Sequence, residues 1–123
     1  MSGKSLFLDT NIVLYLLSGD IDVKEFLDQR PVYIYFITEL ELLRYKTLST
    51  KEEQSIRDFL ASATILDINS AIKTIAVELG RQYKTKLPDL IVASSAYYLN
   101  FPLLTADKQF AQIEELEVLL FER

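Results

Sequence analysis

Ser5-Leu6-Phe7-Leu8-Asp9-Thr10-Asn11-Ile12-Val13-Leu14-Tyr15-Leu16-Leu17-Ser18-Gly19 is the stretch on which the fold turns. Residues 5–8, with three apolar side chains in a row, are too few for a helix and read as a short strand. Thr10 to Leu17 then reads as a helix that Ser18-Gly19 closes. Ile12, Val13, Leu14, Tyr15, Leu16 and Leu17 make that helix apolar nearly all round, which predicts burial in the core or in a subunit interface. A buried strand that runs directly into a buried helix is the building unit of an α/β domain.

The unit recurs along the chain. A helix at about 21–29 places Ile21, Phe26 and Leu27 on one side, and Pro31 stops it. Residues 32–36 are β-branched and aromatic, the second strand. Thr38 caps a helix to about Leu48, and Thr50 with Glu53 forms a capping box for another to about Ser62. Residues 64–66 are the third strand. Asn69 caps a long helix to about Lys84, with Ile72, Ile75, Ala76, Leu79 and Tyr83 at helical spacing, and Pro88 opens a further helix to about Leu99. Residues 102–105 form the fourth strand, 107–114 a short helix and 118–121 the fifth strand. Such alternation predicts a parallel sheet with helices on both faces. Residues 1–123 are expected to form one domain. Right-handed crossovers bring the C-terminal ends of the strands to one edge, where open α/β sheets bind their ligands.

Composition narrows the chemistry. The 123 residues are 50% apolar and 25% charged, and 13 basic against 18 acidic residues leave a net charge of −5, the wrong sign for holding nucleic acid by bulk charge alone. There is no Cys, hence no disulfide, thiolate nucleophile or thiolate zinc site, and no His, hence no imidazole base. Three glycines cannot supply a phosphate-cradling loop. Chemistry must run on carboxylates, amides, hydroxyls, Lys, Arg and bound metal. Leu6-Phe7-Leu8 after Lys4 resembles a signal peptide only faintly, since Asp9 and Asn11 interrupt it, and no run nears the ~18 apolar residues of a membrane span. A cytoplasmic protein without membrane contact is the expectation.

Acidic residues collect at the ligand-binding edge. Asp9 follows the first strand, Glu41 lies just past the second, and Asp107 comes two residues after the fourth. Asp89 opens the helix that feeds the fourth strand, and sequence alone leaves its edge open. Each also has an ordinary reading as a helix cap or first-turn residue: Asp9 before Thr10 and Asn11, Glu41 at the capping-box spacing from Thr38, Asp89 beside Pro88, and Asp107 as an N-cap. As a set they repel one another, which raises carboxylate pKa values or calls for a cation. A hard divalent ion suits oxygen donors, and it would let an acidic protein act on a phosphodiester.

Four segments in series resemble the PIN domain, and in particular the toxin ribonucleases of VapBC-type toxin–antitoxin pairs. They are Leu8-Asp9-Thr10-Asn11, Ile37-Thr38-Glu39-Leu40-Glu41-Leu42, Lys86-Leu87-Pro88-Asp89-Leu90-Ile91-Val92-Ala93 and Leu104-Thr105-Ala106-Asp107-Lys108-Gln109-Phe110. The second is similar to an Ile-Thr-x-x-Glu-Leu segment, which selects Glu41 over Glu39. The resemblance implies a PIN-like, Rossmann-like three-layer α/β fold with a five-stranded parallel sheet in order 3-2-1-4-5. It implies Mg²⁺ or Mn²⁺ held by Asp9, Glu41, Asp89 and Asp107, which carry out RNA hydrolysis, with Asn11 and Thr105 as supporting polar groups. It further implies a homodimer and a small antitoxin partner. Leu43-Arg44-Tyr45 departs from the pattern, since many relatives carry a small residue shortly after the Glu-Leu.

Arg44 is a candidate RNA contact or an exposed intrahelical ion pair worth about 0.3 kcal/mol. Arg81, Lys84 and Lys86 are further candidate RNA contacts or a solvated helix end. Two other functions fit the same alternation. A receiver-like phosphoacceptor domain would use Asp67 after the third strand, but it lacks an acidic pair after the first and a Lys and helix after the fifth. A catalytically inert PIN-like module would bind RNA or a partner without cutting.

Overall fold

The computed structural model describes residues 3–122. Five parallel strands, β1 (Leu6–Leu8), β2 (Val32–Tyr35), β3 (Thr64–Leu66), β4 (Leu103–Thr105) and β5 (Val118–Leu120), lie in the order β3-β2-β1-β4-β5. The six α-helices are α1 (Thr10–Leu17), α2 (Ile21–Leu27), α3 (Phe36–Leu43), α4 (Thr50–Ser62), α5 (Ser70–Gln82) and α6 (Leu87–Leu99). A 3₁₀ turn, Lys108–Gln112, stands where a short helix was expected.

Alternation along each strand sorts the core into two layers. Leu6, Leu8, Ile34 and Leu104 face Ile12 and Val13 of α1, Val23 and Leu27 of α2, Leu42 of α3, and Ile56 and Phe59 of α4. Phe7, Tyr35 and Leu103 face the other way, against Leu79 of α5, Leu90, Ala93 and Ala96 of α6, and Phe110. Helices therefore cover both faces, as expected for short, continuously apolar strands. Strand order reverses at β1, whose neighbours are β2 and β4, so the crevice between the first and fourth strand ends is the topological switch point.

Several helix boundaries differ from the sequence reading. Pairing of β2 with β3 ends at Tyr35 with Leu66, and the chain enters α3 at once, at Phe36. Thr38 is thus inside the first turn and does not cap, and the helix ends at Leu43 instead of about Leu48. The capping box of α4 is Ser49 with Glu52, one residue earlier than Thr50 with Glu53. Both pairs have the box spacing, so the spacing alone could not separate them. In α2 the buried residues are Val23 and Leu27, while Ile21 and Phe26 are exposed. At the end of α1, Gly19 takes φ +90°. Its N–H bonds the Leu16 carbonyl and that of Asp20 the Tyr15 carbonyl, a left-handed stop that favours glycine.

Candidate active site

Asp9 leaves β1 at the switch point, with its backbone N–H bonded to the Leu104 carbonyl at 3.0 Å. One carboxylate oxygen accepts the Thr10 backbone N–H at 2.9 Å, and the other accepts the Thr105 hydroxyl at 2.8 Å. Thr105, fully buried at the end of β4, accepts the Asp107 N–H in turn at 3.0 Å. One hydroxyl therefore ties the first carboxylate to the loop that carries the fourth. Asp107 accepts the Gln109 N–H at 2.9 Å and starts the 3₁₀ turn. Glu41, on α3, accepts the Thr10 hydroxyl at 3.3 Å. Asp89 sits in the first turn of α6, just after Pro88.

Asp9, Asn11, Glu41, Asp89 and Asp107 all line one cavity of about 540 Å³. The edge left open for Asp89 is thereby fixed, because α6 starts on the same side of the sheet as the end of β1. Its remaining walls are largely apolar: Leu14, Tyr35, Ile37, Tyr45, Leu87, Ile91 and Val92 contribute. Sequence reasoning did not assign these wall residues. Tyr45, in the segment that departs from the family pattern, is one of them. Thr10 and Thr38 also line the cavity, and their hydroxyls lie 2.8 Å apart. The sequence suggested a cap for Thr38, and only the earlier start of α3 frees its hydroxyl for this contact.

The acidic group is held at an electrostatic cost. Burial pushes the Asp9 carboxyl above the usual carboxylate range, against the hydrogen bonds from Thr105 and Thr10, and the charges of Asp89 and Asp107 push it further. Asp89 is raised by burial and by Asp107, with Lys86 drawing it the other way. Repulsion among oxygen-only donors is what a hard divalent cation relieves. Among the described residues no three acidic side chains stand close enough to form a ready metal cage. The set fits instead the habit of Mg²⁺, which uses one or two carboxylates and fills its remaining positions with water and substrate oxygen.

The candidate RNA contacts lie outside the cavity wall. Arg44 ends α3, Arg81 is in the last turn of α5, Lys84 follows, and Lys86 caps α6 beside Asp89; all four are exposed. Among the described residues the ion pair is Arg57 with Glu53 on α4, so the intrahelical pair considered for Arg44 does not form.

Strand order, switch-point crevice and clustered carboxylates together define an α/β domain of the acidic-edge kind. The family model described as "PIN domain" matches residues 6–116, and the chain belongs to that family. This membership displaces the receiver-domain alternative. A chain of a toxin–antitoxin complex from Klebsiella pneumoniae is 32% identical and superposes with a TM-score of 0.80, over 96% of this chain and 99% of that one. VapBC-1 from nontypeable Haemophilus influenzae gives 25% identity and a TM-score of 0.75, over 94% and 97%. VapBC2 from Rickettsia felis, bound to a DNA fragment from their promoter, gives 22% identity and 0.79, over 96% and 99%, a likeness of fold. No curated protein matches the sequence significantly. Among the described residues no helix is long and apolar enough to cross a membrane.

Proposed function

We propose that this chain is a metal-dependent endoribonuclease, the toxin of a type II toxin–antitoxin pair, acting as one domain over residues 1–123 in the cytoplasm. The observation that carries the reading is the convergence of Asp9, Glu41, Asp89 and Asp107 on one switch-point cavity, with Asp9 and Asp89 kept there at a cost. These four carboxylates would hold Mg²⁺, or Mn²⁺ in its place, one or two of them directly and the others through water. Bound there, the cation supplies charge neutralisation and water activation for in-line attack on a phosphodiester. The chain's own groups do the positioning. Thr105 fixes the Asp9 carboxylate through its hydroxyl and the Asp107 loop through its oxygen. Asn11, exposed at the wall, orients water or the scissile phosphate. Arg44, Arg81, Lys84 and Lys86 contact the RNA backbone outside the cavity. The toxin role and an antitoxin partner are supported by the Klebsiella pneumoniae toxin–antitoxin complex and by the length over which the two chains superpose; a homodimeric state is part of the same proposal.

Purified protein with a mixed RNA panel in Mg²⁺, Mn²⁺ or EDTA tests this reading. Cutting that needs the cation and disappears in Asp9→Asn is the expected result. RNA bound but uncut in every metal favours the inert module.

A further inference from the structure

We propose that Thr38 is a positioning residue for Glu41, acting through the hydroxyl of Thr10; the proposal rests on the metal-dependent reading above. The direction of the relay follows from proton counting. A hydroxyl has one proton to give, and an ionised carboxylate can only accept. Thr10 Oγ1 lies 3.3 Å from Glu41 Oε1 and donates to it, so the 2.8 Å contact between the two threonines has Thr38 as donor and Thr10 as acceptor.

The behaviour of Thr38 differs from that of the hydroxyls deeper in the helices. Ser55, Thr74, Ser94 and Ser95 each turn back on the carbonyl four residues earlier in their own helix, the local habit of these side chains. Thr38 reaches across to α1 instead. It is 2% exposed, so its proton must be taken up within the protein. Thr10 is the meeting point. Its backbone N–H holds Asp9 at 2.9 Å while its hydroxyl holds Glu41, so one residue contacts two like-charged carboxylates, one after β1 and one on α3. Without the proton from Thr38, the Thr10 hydroxyl has no fixed orientation and Glu41 loses its anchor on the cavity wall. Partners one step removed from a metal, the place Thr10 would take, typically change affinity about 10–100-fold when deleted, and Thr38, one contact further out, should fall at the lower end of that range.

The test is direct Mn²⁺ titration of the purified full chain by calorimetry, which needs no RNA. Thr38→Val removes the hydroxyl at nearly constant shape and is expected to weaken Mn²⁺ binding about tenfold. Thr38→Ser restores the donor and is expected to bind within about twofold of the parent. In a Glu41→Gln background the effect of Thr38→Val should shrink below about twofold, because coupled groups do not add. Thr10→Val interrupts the same relay from the α1 side and should reproduce the loss even where Thr38→Val folds poorly. Parent-like affinity in Thr38→Val or Thr10→Val, or an undiminished drop in the Glu41→Gln background, overturns the relay and leaves the nuclease reading standing. No Mn²⁺ binding by the parent overturns both.

Discussion

The starts of α1 and α4 give an acidic side chain the same local task under opposite electrostatic conditions. At α4, Ser49 and Glu52 cap each other reciprocally at 3.0 and 3.1 Å, and hydrogen bonding from Ser49, its backbone N–H first, holds the exposed Glu52 carboxyl below its usual range. At α1, Asp9 also accepts two hydrogen bonds, yet burial and the charges of Asp89 and Asp107 push its carboxyl up. The geometry differs as well. Ser49, Asp20 and Asn69 each accept the backbone N–H three residues on, the ordinary capping contact, whereas the Asp9 side chain accepts the backbone N–H of its immediate neighbour and turns its other oxygen to Thr105. A residue selected to cap would settle its charge as Glu52 does. Asp9 forgoes the best cap to keep its carboxylate at the switch point, so the capping explanation that fits each acidic residue alone fails for this one.

The contrast breaks most sharply in catalysis. Glu41→Gln or Asp107→Asn should lower the metal-dependent RNA cleavage rate by at least about 100-fold, beyond the 10–100-fold typical of outer partners. Glu52→Gln should leave the rate within about twofold, because it does not line the cavity. Equal losses from both ends would mean that the substitutions act through folding.

Cation binding gives the next largest difference. An ion that binds only the folded chain stabilises it by about 2.7 kcal/mol at a hundred times its Kd. Thermal unfolding should therefore shift upward with Mn²⁺ in the parent and in Glu52→Gln. The shift should largely vanish in Asp9→Asn. Ser49→Ala is expected to reverse the pattern: a loss of about 1 kcal/mol from the missing cap, with the Mn²⁺ shift and cleavage rate unchanged.

How far the sequence reached follows the same division. The sheet was legible because its signals are local. Leu6-Phe7-Leu8, residues 64–66 and Leu103-Leu104-Thr105 are short, largely apolar runs between helices, and such continuous runs require cover on both faces. The acidic set was legible from strand-end placement for Asp9, Glu41 and Asp107. The side on which Asp89 lies depends on how α6 crosses the sheet, which spacing does not encode. Helix starts were the weak point. Ser49/Glu52 and Thr50/Glu53 are equally good boxes, and Thr38 with Glu41 imitates one that does not form. That imitation hid the hydroxyl contact between Thr38 and Thr10, which joins residues 28 apart in sequence and exists only once both helices are packed.

The smallest effect separates the two helix starts by sign. In the metal-free protein, Asp9 and Asp89 have native pKa values above those of the unfolded chain, so the folded state holds their protons more tightly. Stability must then rise as pH falls through the raised native values, and the gain is complete below the unfolded carboxylate range near about 4. Glu52 runs the other way: its native pKa is lowered, so its contribution is present above the unfolded value and is lost as pH falls through the native one. Asp9→Asn removes the buried charge while keeping an oxygen acceptor for Thr10. Melting in EDTA should accordingly find Asp9→Asn more stable than the parent at neutral pH, with the gap closing on acidification. Glu52→Gln should be the less stable variant at neutral pH, and its gap should also close toward acid. Saturating Mn²⁺ should invert the order of parent and Asp9→Asn at neutral pH, because the cation offsets the repulsion that the Asn variant no longer has. A difference between parent and Asp9→Asn that stays constant with pH would mean the Asp9 charge is as settled as that of Glu52, and the distinction between the two helix starts would collapse.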